Sequence, residues 1–325
     1  LYQGEIWKDI LFANAAIAGF AALAVYAQTG RQAALALALL LLVLAASTRQ
    51  NGLVLLPVAA VTMGLIARRR GGPGWRHGAL FLLAALVLTA AVNLALAQRT
   101  DGGDGASAQL RLGQSYDLAG ALARKPDLVL PLGADPELDR VLRSRGRVLY
   151  TPLHNDPMAA DPAISRALTD PPDGVIAGAW RSLILDHPLL YLETRGAAFA
   201  AVLTTPDVIA CHLAVIGVSG PPALLKRLGL TGGIRPQDQR LGSYAHLFFG
   251  TPVFSHPAWG GLALVLLVLL IRRGEPADLA VAGLLCGAFI FIITFAIISI
   301  ACDYRYLVFL DLSAMAATLY LVKKA

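Results

Sequence analysis

The sequence predicts an all-α polytopic membrane protein. It should have about seven transmembrane helices, with a large, mainly helical extracytoplasmic segment between the fourth and fifth. Three observations predict this. The 325 residues are 57% hydrophobic and 15% charged, with a mean hydropathy of +0.63, whereas soluble domains are roughly 45–50% apolar and about 25% charged. The apolar residues gather into long runs, near the ~17–25 residues a helix needs to cross a bilayer. The densest basic cluster, Arg68-Arg69-Arg70 with Arg76 and His77, lies between two such runs. There it orients a membrane protein, and the net charge of +6 is no argument for nucleic acid.

The runs expected to span are Asp9–Ala27, Gln32–Ser47, Gly52–Ala67, Gly78–Ala97, Ala258–Ile271, Leu279–Ala301 and Leu307–Val322. Asn14 and Asn93 fall inside runs and are expected to face neighbouring helices rather than lipid. An excess of Lys and Arg marks cytoplasmic loops. Arg31, Arg68–Arg76, Arg272-Arg273 and Lys323-Lys324 are therefore assigned to the cytoplasm. Leu1–Lys8, Arg49, Gln98 through Pro257, and Asp303–Arg305 then lie outside. The expected organisation is a four-helix N-terminal bundle (1–97), an extracytoplasmic segment (98–257) and a three-helix C-terminal bundle (258–325).

Within the external segment, Asp101–Gly105 and Ala106–Ala108 read as a loose loop and Asp170–Asp173 as a turn, from their Gly, Asp, Pro and Ser content. Helices are expected over Ser115–Ala123, capped at Ser115, and over Glu137–Arg145, opened by Asp135-Pro136. Arg147–Tyr150 reads as a short extended piece. Val175–Leu185 reads as an amphipathic helix, stopped by Asp186-His187-Pro188, which caps a second helix over Leu189–Leu203. That second helix either lies on the membrane surface or packs on the external segment. Gly196–Val218 is apolar but broken by Thr204-Thr205-Pro206-Asp207 and His212. It is expected to be buried, re-entrant or interfacial, the alternative being a pair of weak spans with Ala223–Leu230.

The three cysteines, Cys211, Cys286 and Cys302, show no metal-ligand spacing and suggest no disulfide framework. The six histidines are scattered, so no metal site is assigned. No P-loop, Rossmann glycine fingerprint or nucleophile elbow is present.

Polar residues do gather at the external mouths of the spans. Lys8 and Asp9 open the first, Arg49-Gln50-Asn51 turns between the second and third, and Asp303-Tyr304-Arg305-Tyr306 opens the last. Each has a simple structural role available. Lys8 and Arg49 can snorkel to headgroups, Asp9 can cap its helix, and Asp303 can cap the last helix or pair with Arg305. Together they offer more. Guanidinium forks bind phosphate bidentately and stay charged, and a nearby carboxylate can act as a general base. Lys8, Arg49, Asp303 and Arg305 are thus the candidate phosphate- or substrate-binding residues, and Asp9 the candidate supporting acid.

Four stretches resemble the polytopic GT-C glycosyltransferases, the group that includes protein O-mannosyltransferases and lipid A aminoarabinose transferases. They are Trp7-Lys8-Asp9 before a span, Thr48-Arg49-Gln50-Asn51-Gly52-Leu53 with Pro57, Trp180 with Asp186-His187-Pro188-Leu189 through Tyr191 and Arg195, and Asp303-Tyr304-Arg305-Tyr306. The resemblance implies transfer of a sugar from a polyprenyl-phosphate donor to an acceptor in the cell envelope, whether a glycan, a lipid or a protein. The implied location is the external face of a bacterial inner membrane, crossed several times. No nucleotide and no nucleic acid partner is implied. Some members of the group use a divalent metal, and this sequence shows no ligand set for one. The family's main catalytic acid sits in an external loop after its first span. With Leu1 opening the sequence in a polar stretch, that loop and earlier spans are expected upstream. An O-antigen polymerase or ligase, or a non-catalytic envelope transporter or assembly protein, are the alternatives.

Overall fold

The computed structural model describes residues 8–98, 105–169 and 174–324. The expected turn at Asp170–Asp173, most of the Asp101–Gly105 loop, and Trp7 lie outside the described residues. The described chain is all-helical. Its helices are α1 (Lys8–Thr29), α2 (Gln32–Thr48), α3 (Leu55–Arg69), α4 (Gly74–Ala97), α5 (Gly105–Arg124), α6 (Pro136–Val141), α7 (Arg147–Leu149) and α8 (Asp156–Ala159). They continue as α9 (Pro162–Thr169), α10 (Val175–Asp186), α11 (Pro188–Thr204), α12 (Pro222–Arg227), α13 (Pro236–His246), α14 (His256–Arg273), α15 (Pro276–Ile298) and α16 (Val308–Lys324).

Helices occupy all seven apolar runs. Five of them, α1, the Gln50–Arg69 stretch, α4, α14 and α15, are long and apolar enough to cross a membrane. The apolar helix α2 has 17 residues, as does α16. This is the make-up of a multi-pass membrane protein, since in lipid every backbone group must be satisfied within a helix or a closed barrel.

The chain divides into two compact units, and two of the four divisions fall inside α4 and α15. The first unit holds residues 1–92, 212–291 and 304–325. Close approach of its helices depends on small residues. A Cβ on Gly78 of α4 would lie 2.7 Å from the Ala60 carbonyl oxygen of α3, so only glycine fits there. α4 buries the stripe Gly78, Phe81, Ala85 and Thr89 and exposes most of its remaining surface. Asn93 continues the stripe in spacing, but the packing ends at Thr89. Asn93 is therefore exposed, against the expectation that it faces a neighbouring helix. At one end of the unit Arg70 donates to the Ala27 carbonyl at 2.9 Å and lies over the Tyr26 ring. The basic end of α3 thus meets the C-terminal end of α1, as the charge assignment requires.

The second unit holds residues 93–211 and 292–303. Its core is built on α5, whose Tyr116, Leu118, Ala119 and Leu122 are buried against Leu138, Leu142, Ile176 and Leu183. α5 begins at Gly105, so Ala106–Ala108 is helical rather than a loop. Ser115 lies mid-helix and donates to the Leu112 carbonyl instead of capping. Asp135 caps α6 as expected, accepting from the Leu138 amide at 3.0 Å. Arg147–Leu149 is a helical turn, not an extended piece. The break after α10 comes from Pro188, and the N-cap of α11 is His187. Asp186 is the last residue of α10 and accepts from Ser182.

A buried ion pair fixes α11. Arg195 donates to Asp117 Oδ1 at 2.9 Å and to the Ala296 carbonyl at 3.1 Å, near the end of α15. Trp180 of α10 donates to the other Asp117 oxygen at 2.9 Å. Burial pushes the Asp117 carboxyl up and the Arg195 guanidinium pulls it back down. α11 therefore turns Thr194, Arg195, Ala198 and Val202 inward and leaves Leu189 and Leu192 exposed.

Gly196–Val218 is not a continuous helix, and neither it nor α12, six residues long, has the length of a span. α11 stops at Thr205, which adopts a left-handed φ of 41°, unfavourable for a β-branched residue. Asp207 then accepts from the Ile209 and Ala210 amides at 2.8 Å each, closing a turn. That turn delivers Cys211 to Cys302, and the two form a disulfide. This overturns the expectation of no disulfide. The partners are 91 residues apart in sequence, and only the fold brings them together.

Disulfides persist in oxidising compartments. Cys302 follows α15 at the end opposite Arg272 and Arg273. Unfolded without reductant, the protein should titrate one thiol, Cys286, and three after reduction. Three thiols in the unreduced protein would remove the disulfide.

Candidate functional site

The site in the first unit starts from a carboxylate in the first turn of α1. Asp9 is buried, its side chain 5% exposed, at the end of the helix opposite Tyr26 and Ala27. An ionised group there needs partners, because desolvation costs several kcal/mol per ion on the order of the buried-pair estimates. Two arginines supply them. Arg49 pairs through Nη1 with Asp9 Oδ1, and Arg305 brings Nε to 3.7 Å from Oδ2. Each carboxylate oxygen thus faces its own guanidinium.

Arg49 is held by local backbone. It lies between α2 and the 3-10 turn Gln50–Val54, in extended conformation, and its carbonyl accepts from the Gly52 amide at 2.9 Å. Gly52 is buried against α1. A Cβ there would lie 3.0 Å from both the Phe12 ring and the Ala45 carbonyl oxygen, tighter than ordinary packing. Glycine therefore lets the turn sit close enough to α1 for Arg49 to reach Asp9. The Arg49 guanidinium lies over the Phe291 and Tyr306 rings, 5.6 Å from each centroid. Beneath it Phe12, Phe291 and Phe309 pack together, with Phe12 stacked on Phe291 at 4.5 Å. Burial is the largest influence on Arg49 and lowers its pKa to about 10, with Tyr306 opposing and Arg305 reinforcing the shift. The side chain is still a cation at neutral pH.

Arg305 comes from the 3-10 turn Tyr304–Tyr306 and stacks on Tyr306 at 5.4 Å. Its side chain is 28% exposed, against 10% for Arg49. Of the two cations Arg305 is the more open. Such a group can accept an anion with two or more oxygens, since arginine forks match phosphate geometry.

A second buried network holds the Tyr304–Tyr306 turn. Tyr304 donates to Asp311 Oδ2 at 2.6 Å, and His256 Nδ1 lies 3.0 Å from Asp311 Oδ1. The His256 ring stacks on Tyr304 at 4.1 Å. His256 and Asp311 are both buried. Sequence reasoning missed them, although a carboxylate inside the last apolar run was a usable signal, because such residues are rare without a partner.

Of the sequence-predicted residues, Asp9, Arg49 and Arg305 meet. Lys8 is exposed at the start of α1, and Asp303 belongs to the second unit. Among the described residues no group of three or more His, Cys, Asp or Glu side chains is arranged to hold a metal ion. No protein-family model, curated protein or solved structure matches the chain.

The geometry predicts unequal costs for removing the charges. Asp9→Asn leaves Arg49 buried without its counter-charge and should cost about 3–5 kcal/mol. Arg305→Ala removes a more exposed partner and should cost no more than about 1 kcal/mol. Thermal unfolding of the variants in detergent reads the difference, and equal losses would contradict the ranking.

Proposed function

We propose that the chain belongs to a membrane glycosyltransferase that moves a sugar from a polyprenyl-phosphate donor to a hydroxyl of a cell-envelope acceptor on the external face. The observation that carries this reading is the pairing of two arginines around one buried carboxylate at a helix mouth, with the Arg305 side chain 28% exposed. The sequence resemblance to GT-C enzymes supports the same reading, and the disulfide supports the external side.

In the proposed reaction the acceptor oxygen attacks the anomeric carbon. The bond from that carbon to the donor phosphate oxygen breaks, and polyprenyl phosphate leaves with the electron pair. Arg305, with Arg49 behind it, stabilises the charge that develops on the leaving phosphate, the role of fixed cations in a partly dehydrated site. Asp9 orients the two guanidiniums. The acceptor proton passes to a carboxylate base other than Asp9, which both arginines occupy.

A second reading follows from Asp9 already facing both arginines. The trio would then be a structural clamp between α1 and two turns, in a non-catalytic envelope transporter or assembly protein. The two readings differ in one measurement, made on the full-length protein in proteoliposomes with a polyprenyl-phosphate sugar donor. Under the enzyme reading Arg305→Ala lowers transfer by at least about a hundredfold, within the range for losing a charged transition-state contact, while the thermal midpoint changes little. Wild-type transfer rates in Arg305→Ala and Arg49→Lys would leave the clamp.

A further inference from the structure

The opposite end of the first unit carries a feature that this function does not use. A cavity of about 330 Å³ lies between α1, α15 and α16, at the lower end of the ~300–1,000 Å³ typical of small-ligand sites. Its walls are almost wholly apolar, from Ile17 at one end of the α1 lining through Phe20, Ala21 and Leu284. Gln28, Tyr320 and Lys323 line its other end.

We propose that this cavity binds one acyl chain of an anionic phospholipid, whose phosphate is held at Lys323. The first argument is depth. From Ile17 to Gln28 α1 rises about 16 Å at 1.5 Å per residue, close to half of the ~30 Å hydrocarbon core. Ile17 lies near the middle of the 22-residue α1 and Gln28 near its end. The cavity therefore runs from the bilayer midplane to one interface, the depth of a single leaflet.

The second argument is charge. Among the described residues no carboxylate pairs with Lys323, and its side chain is exposed. Of the two acids beside this end, Glu275 lies 4.0 Å from Arg273 Nη2, and the other is Asp278. It accepts from the Tyr320 hydroxyl at 2.6 Å and lies 3.2 Å from Arg273 Nε. Arg273, Glu275 and Asp278 pair among themselves outside the lining, and Lys323 is the one charged side chain among the residues that line the cavity. An apolar slot closed by a basic mouth between membrane helices suits the chain and headgroup of an acidic lipid. By the charge-based orientation this is the cytoplasmic leaflet.

The test is lipid titration of the purified full-length protein, read by native mass spectrometry, with phosphatidylglycerol and phosphatidylcholine of identical chains. The wild type should retain one phosphatidylglycerol at least about fivefold more tightly than phosphatidylcholine, the factor one lysine contributes at an anionic surface. Lys323→Ala should erase that preference. Ala21→Trp, at an exposed position lining the cavity, should weaken both lipids by about tenfold or more, a change equivalent to one decade of affinity. Leu83→Trp, on the exposed face of α4, should do neither. Equal retention of the two lipids by the wild type, unchanged binding in Ala21→Trp, or preferential retention of a polyprenyl phosphate would overturn the proposal. None of these readouts depends on sugar transfer.

Discussion

The buried carboxylate of Asp9 is the constraint on which the candidate site depends. It sits on α1, one of the most buried helices of the membrane bundle, and it cannot remain ionised there without cations on both oxygens. That requirement sets the conformation of two separate turns. The Gln50–Val54 turn must approach α1 closely enough to bring in Arg49, which is why Gly52 has no room for a side chain. The Tyr304–Tyr306 turn must present Arg305, and it is held for that purpose by Tyr304, Asp311 and His256. The aromatic floor of Phe12, Phe291 and Phe309 lowers the local polarity under Arg49. Coulombic attraction among the three charges is correspondingly stronger than it would be in water.

The second unit uses the same device for a structural end. Asp117, buried on α5, is satisfied by Arg195 from α11 and Trp180 from α10, and Arg195 continues to the backbone of α15. One ion pair and its neighbours thus join three helices of the second unit to the end of the apolar helix α15. The disulfide between Cys211 and Cys302 closes the same region covalently. In the first unit, by contrast, the Arg305 side chain is 28% exposed.

Much of this was legible in the sequence for a physical reason. Hydrophobic runs report helices directly when the solvent is lipid, and the positions of all seven follow from composition. Asp9, Arg49 and Arg305 were legible because charge at a helix mouth is costly, so their presence itself points to mutual satisfaction. What depends on which face turns inward was not legible. Thr194 and Arg195 are polar residues of α11, yet both are buried, and Arg195 meets Asp117, 78 residues away. Periodicity separates two faces without saying which one is buried. The disulfide was hidden for the same reason, since its partners meet only through the fold. The pairing of His256 with Asp311 spans 55 residues and was equally silent.

The central claim is that the Asp9–Arg49–Arg305 cluster recognises a lipid-linked phosphate. Binding of farnesyl phosphate and of farnesol to the detergent-solubilised full-length protein, measured by calorimetry, tests it most directly. The claim predicts that the phosphate binds at least about tenfold more tightly than the alcohol, that is by about 1.4 kcal/mol or more. It also predicts that Arg305→Ala removes this difference while leaving farnesol binding unchanged. Equal affinities for the two ligands in the wild type, or a preference for phosphate that survives Arg305→Ala, would contradict it.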